Sequence, residues 1–140
     1  MIILESISSA KYSIDKIVVP DADAETATLR TNLQQAVRAL ELLLDNARKF
    51  TQQGSVTLRV SIDSQNGFRH VLFIVEDTGI GIPANEAEHI FEEFFQLNSY
   101  TDGTGIGLTV ARSIARRLGG DIRLDTSYTA GARFIMTLPL

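Results

Sequence analysis

Cysteine is absent from all 140 residues. That excludes disulfides and any thiolate-held metal, and it suits a reducing compartment. No apolar run approaches the roughly 18 residues that span a membrane. The opening "MIILESISSAKYS" has no basic leader before its short apolar run, so it does not read as a signal peptide. Positive charge is also scarce: 13 Lys and Arg stand against 17 Asp and Glu, a net charge of −4. This argues against a nucleic-acid surface. An anionic ligand would have to be drawn in by local groups, because the overall field repels it. Internal repeats and low-complexity tracts are missing. What is left, 44% hydrophobic and 21% charged, suits a single soluble domain over 1–140.

The hydrophobic pattern divides the chain. "YSIDKIVVP" (12–20) alternates in part and ends in proline, as an edge strand does. "DADAETA" (21–27) is a small acidic loop, so 1–27 reads as an N-terminal strand and loop ahead of a core over 28–140. From Thr28 to Phe50 the period is helical, with Leu29, Leu33, Val37, Leu40, Leu44 and Ala47 on one stripe. "SVTLRVSID" (55–63) and "FRHVLFIVED" (68–77) flank "QNG" and predict a hairpin. Val56, Leu58, Val60 and Ile62 should share its buried face. A short helix is expected over Pro83–Phe91. A second long one is expected over Ile106–Leu118, with Val110, Ile114 and Leu118 inward and Gly119-Gly120 as its stop. "DIRLDTS" and "ARFIMTLPL" close the chain as strands around "YTAG". Helices alternating with hairpin-joined strands place the chain in the α/β (α+β) class as a two-layer sandwich.

Three stretches carry chemistry. On the first long helix Asn46, Lys49 and Phe50 fall at i, i+3 and i+4, on one face. Taken one at a time they read as the polar edge of a core stripe. Together they offer an amide oxygen for a hard cation, a point charge for phosphates and a ring to stack on a base. In "VLFIVEDTGIGIP" (71–83) a buried strand runs into Asp77 and a glycine turn. An acid on the floor of an apolar pocket costs free energy unless a donor meets it, and the exocyclic amine of a purine is such a donor. Gly79 and Gly81 would let the base approach the backbone, and Ile80 and Ile82 would line the pocket. Finally, "GTGIGL" (103–108) opens a helix, where free N–H groups and the helix dipole favour an anion. By itself it reads equally well as a flexible loop and a cap.

In order, "LLLDNARKF" (42–50), "DTGIGIP" (77–83), "IFEEFFQ" (90–96) and "GTGIGL" (103–108) resemble the N, G1, F and G2 boxes of sensor histidine kinases. The ending "LGGDIRL…GARFIMTLPL" is similar to that family's last strands, and the likeness covers about residues 28–140. It implies the Bergerat fold of the GHKL superfamily: a mixed, mostly antiparallel sheet covered on one face by about three helices, with an ATP lid over 92–104. It further implies that ATP and Mg2+ are the cofactors. Asn46 would ligate Mg2+, Lys49 would meet phosphate and Phe50 would pack on adenine. Asp77 would accept from the adenine amine, with Gly79, Ile80, Gly81 and Ile82 around the base. Gly103, Thr104, Gly105, Ile106, Gly107 and Leu108 would bracket the phosphates. Phe91, Phe94 and Phe95 would anchor the lid.

The implied activity is that of a protein-histidine kinase. Its partners would be a dimerisation and phosphotransfer domain and then a response regulator, with no nucleic acid and no membrane contact by this domain. The phosphorylated histidine of the family sits in a helical hairpin that this chain lacks, and neither His70 nor His89 has its context. A cytoplasmic, monomeric fragment that binds ATP without phosphorylating itself is therefore expected. Two positions and the lid depart from the family pattern. Leu42 stands where hydrolytic relatives carry the glutamate that activates water, so hydrolysis should be poor. Ala132 stands where a hydroxyl usually approaches the adenine-reading acid. The lid has no Lys or Arg, which would shift phosphate charge onto Lys49 and Arg112. These departures keep open a degenerate nucleotide-binding or docking module. An anti-sigma-type serine kinase is the remaining alternative, disfavoured by the phenylalanine-rich F box.

Overall fold

The hairpin organises the molecule. Our computed structural model describes residues 14–18, 31–51, 53–65, 67–92 and 107–140. Strands β2 (Val56–Gln65) and β3 (Phe68–Asp77) pair antiparallel from Val56 opposite Asp77 to Gln65 opposite Phe68. The two-residue connection carries Gly67 at φ 80°, the left-handed value such a tight turn demands. As alternation predicts, Val56, Leu58 and Val60 are buried and Ile62 packs against the core. Two more strands follow β3 in the sheet: β5 (Arg133–Pro139), then β4 (Asp121–Leu124), both antiparallel. On the opposite side β1 (Lys16–Val18), within the expected edge strand, pairs parallel with β2. The order is β1-β2-β3-β5-β4, a mixed and mostly antiparallel sheet.

Helix α1 (Leu33–Phe50) starts five residues later than its period suggests, because Asn32 caps it by accepting the Gln35 N–H at 3.2 Å. Its buried stripe is also rotated from the expected one. Ala36, Ala39, Leu40, Leu43, Leu44 and Ala47 face inward, while Leu33 is exposed. The helix packs on both the sheet and the second helix, and alanines allow the close approach that larger side chains would block. The same holds for α2 (Gly107–Arg117), where Ala111, Ile114 and Ala115 are buried and Val110 turns outward. Gly119 at φ 91° ends it, with its N–H on the Arg116 carbonyl and the Gly120 N–H reaching back to that of Ala115.

The helix expected over 83–91 is two 3-10 turns instead, Ala84–Glu86 and His89–Phe91. Each closes through bonds three residues back, such as Ala87 N–H to the Ala84 carbonyl and Glu92 N–H to that of His89. Ile90 and Phe91 both drop into the core from the second of these turns. Among the described residues, two α-helices pack with these turns against the sheet, the layered arrangement expected. No helix among the described residues is long and apolar enough to cross a membrane.

Candidate functional site

Asp77 ends β3 and is 1% exposed. Its Oδ1 accepts two backbone N–H groups, from Gly79 at 2.9 Å and from Ala132 at 3.1 Å. Oδ2 accepts none from the described residues. The Asp77 N–H in turn donates to the Ala132 carbonyl at 2.9 Å. Burial pushes the Asp77 carboxyl above its usual range, and the two backbone donors pull it part of the way back. The Thr51 hydroxyl adds a smaller pull of the same sign without meeting hydrogen-bond geometry, and its Oγ1 is buried and unpartnered. The result is a buried acid whose Oδ1 is held by two backbone donors, with the Thr51 hydroxyl close by.

The end of α1 is fastened to this turn. The Ile80 N–H donates to the Phe50 carbonyl at 3.4 Å. A Cβ on Gly79 would collide with that same carbonyl, so only glycine permits the approach. Phe50 is thereby held beside the Gly79–Ile80 turn, with Asn46 and Lys49 in the last turns of the same helix. The Asn46 amide nitrogen is buried and has no partner among the described residues. An amide whose nitrogen finds no protein acceptor can turn either end to a ligand, and its oxygen suits a hard cation such as Mg2+. Lys49 is exposed, with no carboxylate paired to it among the described residues. Ile80 is 65% exposed beside the turn, whereas Ile82 packs against the core. Gly81 takes φ 75°.

Leu42 lies one turn before Asn46 on the same face, and it meets the start of α2: a Cβ on Gly107 would sit 3.9 Å from its Cδ2. The first turn of α2, with Gly107 and the half-buried Leu108, therefore runs beside the Asn46 face of α1. Gly103, Thr104, Gly105 and Ile106 lie outside the described residues, as do Phe94, Phe95 and all of the expected lid beyond Glu92. Phe91 is buried edge-on against Phe134, with ring centroids 6.2 Å apart, and its carbonyl accepts the Thr109 hydroxyl at 2.7 Å. It ties the segment entering the expected lid to both the sheet and α2.

Arg112, expected to take up phosphate charge, is already engaged within the protein. Its guanidinium binds Asp121 and Glu88, each at 3.0 Å, and lies 4.3 Å from the centre of the Phe91 ring. Two carboxylates and a ring face occupy the fork, so it braces α2 against β4.

Sequence reasoning missed the support behind Asp77. The Tyr128 hydroxyl donates to the Asp77 backbone carbonyl at 3.1 Å. Arg133 stacks on the Tyr128 ring at 4.3 Å and bonds both Glu76 and Asp125. Buried Glu76 takes a second guanidinium from Arg59 at 2.8 Å. The alternation of β3 puts Glu76 on the sheet face opposite Asp77, and its pairing with Arg133 was available from strand register. No signal in the sequence announces Tyr128, which is 51 residues from its partner.

Residues 31–140 match the model of the family described as histidine kinase-, DNA gyrase B-, and HSP90-like ATPase. The chain belongs to this ATPase family. Among relatives, it is 44% identical over 101 residues to the aerobic respiration control sensor protein ArcB of Escherichia coli. That match takes in 69% of this chain and 13% of ArcB, so the chain spans a small part of this larger member. Among solved structures, full-length ShkA in complex with AMPPNP superposes with a TM-score of 0.75 at 28% identity, over 98% of this chain and 28% of ShkA. The mycobacterial sensor histidine kinase MprB gives 0.73 at 25% identity, over 98% of this chain and 89% of that one. The layered sheet and its helices are those of histidine kinase catalytic domains in this family.

Proposed function

We propose that this chain is the ATP-binding catalytic domain of a two-component sensor histidine kinase. It holds ATP with Mg2+ and presents the γ-phosphoryl to a histidine on a dimerisation domain, which passes it to a response regulator. The observation that carries this reading is Asp77: buried, ionisable, fixed by two backbone donors on Oδ1 and open on Oδ2, on a glycine turn fastened to the helix that bears Asn46. Asp77 reads the adenine amine, while Gly79, Ile80, Gly81 and Ile82 shape the base pocket and Phe50 flanks it. Lys49 and the segment Gly103–Leu108 meet the phosphates, and Phe91, with Phe94 and Phe95, anchors a lid over 92–104. Positioning and charge neutralisation carry phosphoryl transfer, which asks little covalent chemistry of the protein. The kinase parts of such sensors work on the cytoplasmic side, and this domain makes no contact with the membrane or nucleic acid.

Leu42 supports transfer in preference to hydrolysis, since no acid stands at that position to activate water. The same apolar residue, with Arg112 engaged elsewhere, favours the second reading: a module that binds nucleotide without passing on its phosphoryl group. Labelled ATP supplied with a helical-hairpin domain carrying an acceptor histidine separates the two. Label on the hairpin and none on this chain is expected. Bound nucleotide with an unlabelled hairpin leaves only the docking module.

Asn46 tests the metal. With Mg2+ present, Asn46→Ala should weaken ATP binding by about 1–2 kcal/mol, the scale of a lost contact to a charged group. With the metal chelated the loss should nearly vanish. An equal loss in both titrations removes Asn46 from the metal's coordination sphere.

A further inference from the structure

The turn between β4 and β5 reaches Asp77 from three directions. The Tyr128 hydroxyl holds its backbone carbonyl, the Ala132 N–H holds its Oδ1, and Gly131 lies so close that a Cβ there would strike the Asp77 carbonyl and stand 2.8 Å from Oδ1. The turn is itself braced. Asp125 accepts both the N–H and the hydroxyl of Ser127, at 3.0 and 2.6 Å, and Arg133 bonds Asp125 at 3.1 Å while stacking on Tyr128. Gly79 supplies the second donor to Oδ1 from the other side.

We propose that this turn is a positioning element that commits Oδ1 of Asp77 to the protein and Oδ2 to the ligand, with Tyr128 as its positioning residue. The inference rests on the adenine reading above and deepens it. A carboxylate free to rotate presents whichever oxygen suits the ligand. A carboxylate pinned through Oδ1 presents one acceptor in one place, so the site senses whether the purine 6-substituent donates or accepts. The backbone of Ala132 thus supplies a hydrogen bond to the acid at a position where the side chain has no hydroxyl to offer.

Two backbone N–H groups facing Oδ1 also dictate what an asparagine does there. Its oxygen must take the Oδ1 place, because a donor amide cannot face two donors. Its NH2 then stands where Oδ2 stood. Asp77→Asn should therefore invert the preference of the site, from a 6-aminopurine to a 6-oxopurine, and not simply abolish binding.

The test is a set of calorimetric titrations with ATP and with inosine triphosphate, whose hypoxanthine carries a carbonyl at position 6. The parent, Asp77→Asn and Tyr128→Phe are compared, each with a thermal melt. We expect the parent to prefer ATP by roughly tenfold or more, the scale of one hydrogen bond to a charged group. Asp77→Asn should prefer inosine triphosphate. Tyr128→Phe should narrow the parent's preference by several-fold, with the loss on the ATP side alone. A folded Asp77→Asn that loses both nucleotides equally overturns the inference, because the amide is then not oriented. So does a Tyr128→Phe whose affinities fall in step with its melting temperature at an unchanged ratio, the result of a purely structural role. Should Asp77→Asn not fold, Tyr128→Phe decides alone. A parent that binds neither nucleotide defeats the adenine reading itself and the inference with it, whereas a parent that prefers ATP while both variants keep its ratio defeats the inference only.

Discussion

Asp77→Asn is expected to yield a more stable protein that binds ATP less well. Burial raises the Asp77 carboxyl above its unfolded value, so the folded state holds the proton more firmly than the unfolded one. Below the unfolded value of 3.8 both states are protonated and the residue makes no pH-dependent difference. As pH rises from there through the folded value, the unfolded chain ionises first and stability falls. Above that window the parent bears the full cost of a buried charge, which asparagine avoids while still accepting from Gly79 and Ala132. Without ligand, the melting temperature of the variant should exceed the parent's near neutral pH, and the gap should close as pH drops toward 3.8. ATP affinity should meanwhile fall by about 1–3 kcal/mol, because an acceptor facing the adenine amine has become a donor. A variant that loses stability and affinity together would mean that the carboxylate is structural cement and not a ligand-reading group.

The second large effect belongs to Phe91. It is 8% exposed, packs edge-on against Phe134 and lies under the Arg112 guanidinium. Phe91→Ala removes that ring contact, the surface Arg112 rests on and most of a buried side chain, so about 3 kcal/mol of stability should go. Phe91→Leu should recover much of it by keeping the apolar volume. Chemical denaturation measures both. If Phe91 also anchors the segment entering the lid, nucleotide affinity should fall in the alanine variant even where the protein remains folded. An alanine variant within experimental error of the parent in stability would place Phe91 outside the core.

What could be read beforehand follows the physics of each element. The hairpin was legible because strand alternation and a two-residue glycine turn are local, and the register from Val56 to Gln65 follows from them. The conflict at Asp77 was legible, a carboxylate at the end of an apolar strand that the fold buries to 1% exposure. The helix stripes came out rotated because period counting weighs large apolar residues, whereas Ala36, Ala39, Ala111 and Ala115 mark the surfaces where helices and sheet approach most closely. The segment over 83–91 had helical spacing, yet it closes as two 3-10 turns whose bonds reach only three residues back. The partners of Arg112 were not legible, because composition shows a lid without cations but not that Asp121, already bonded to Arg116, closes on Arg112 as well. Tyr128 and Gly131 gave no warning, since their contacts to Asp77 exist only once β5 lies against β3.

The central claim is that Asp77 and Asn46 form one site for adenine nucleotide with Mg2+. A calorimetric titration of this chain with a non-hydrolysable ATP analogue, in the presence of Mg2+, tests it most directly. The account predicts saturable one-to-one binding that weakens in Asp77→Asn. No binding at millimolar nucleotide, or binding that Asp77→Asn leaves unchanged, would contradict it.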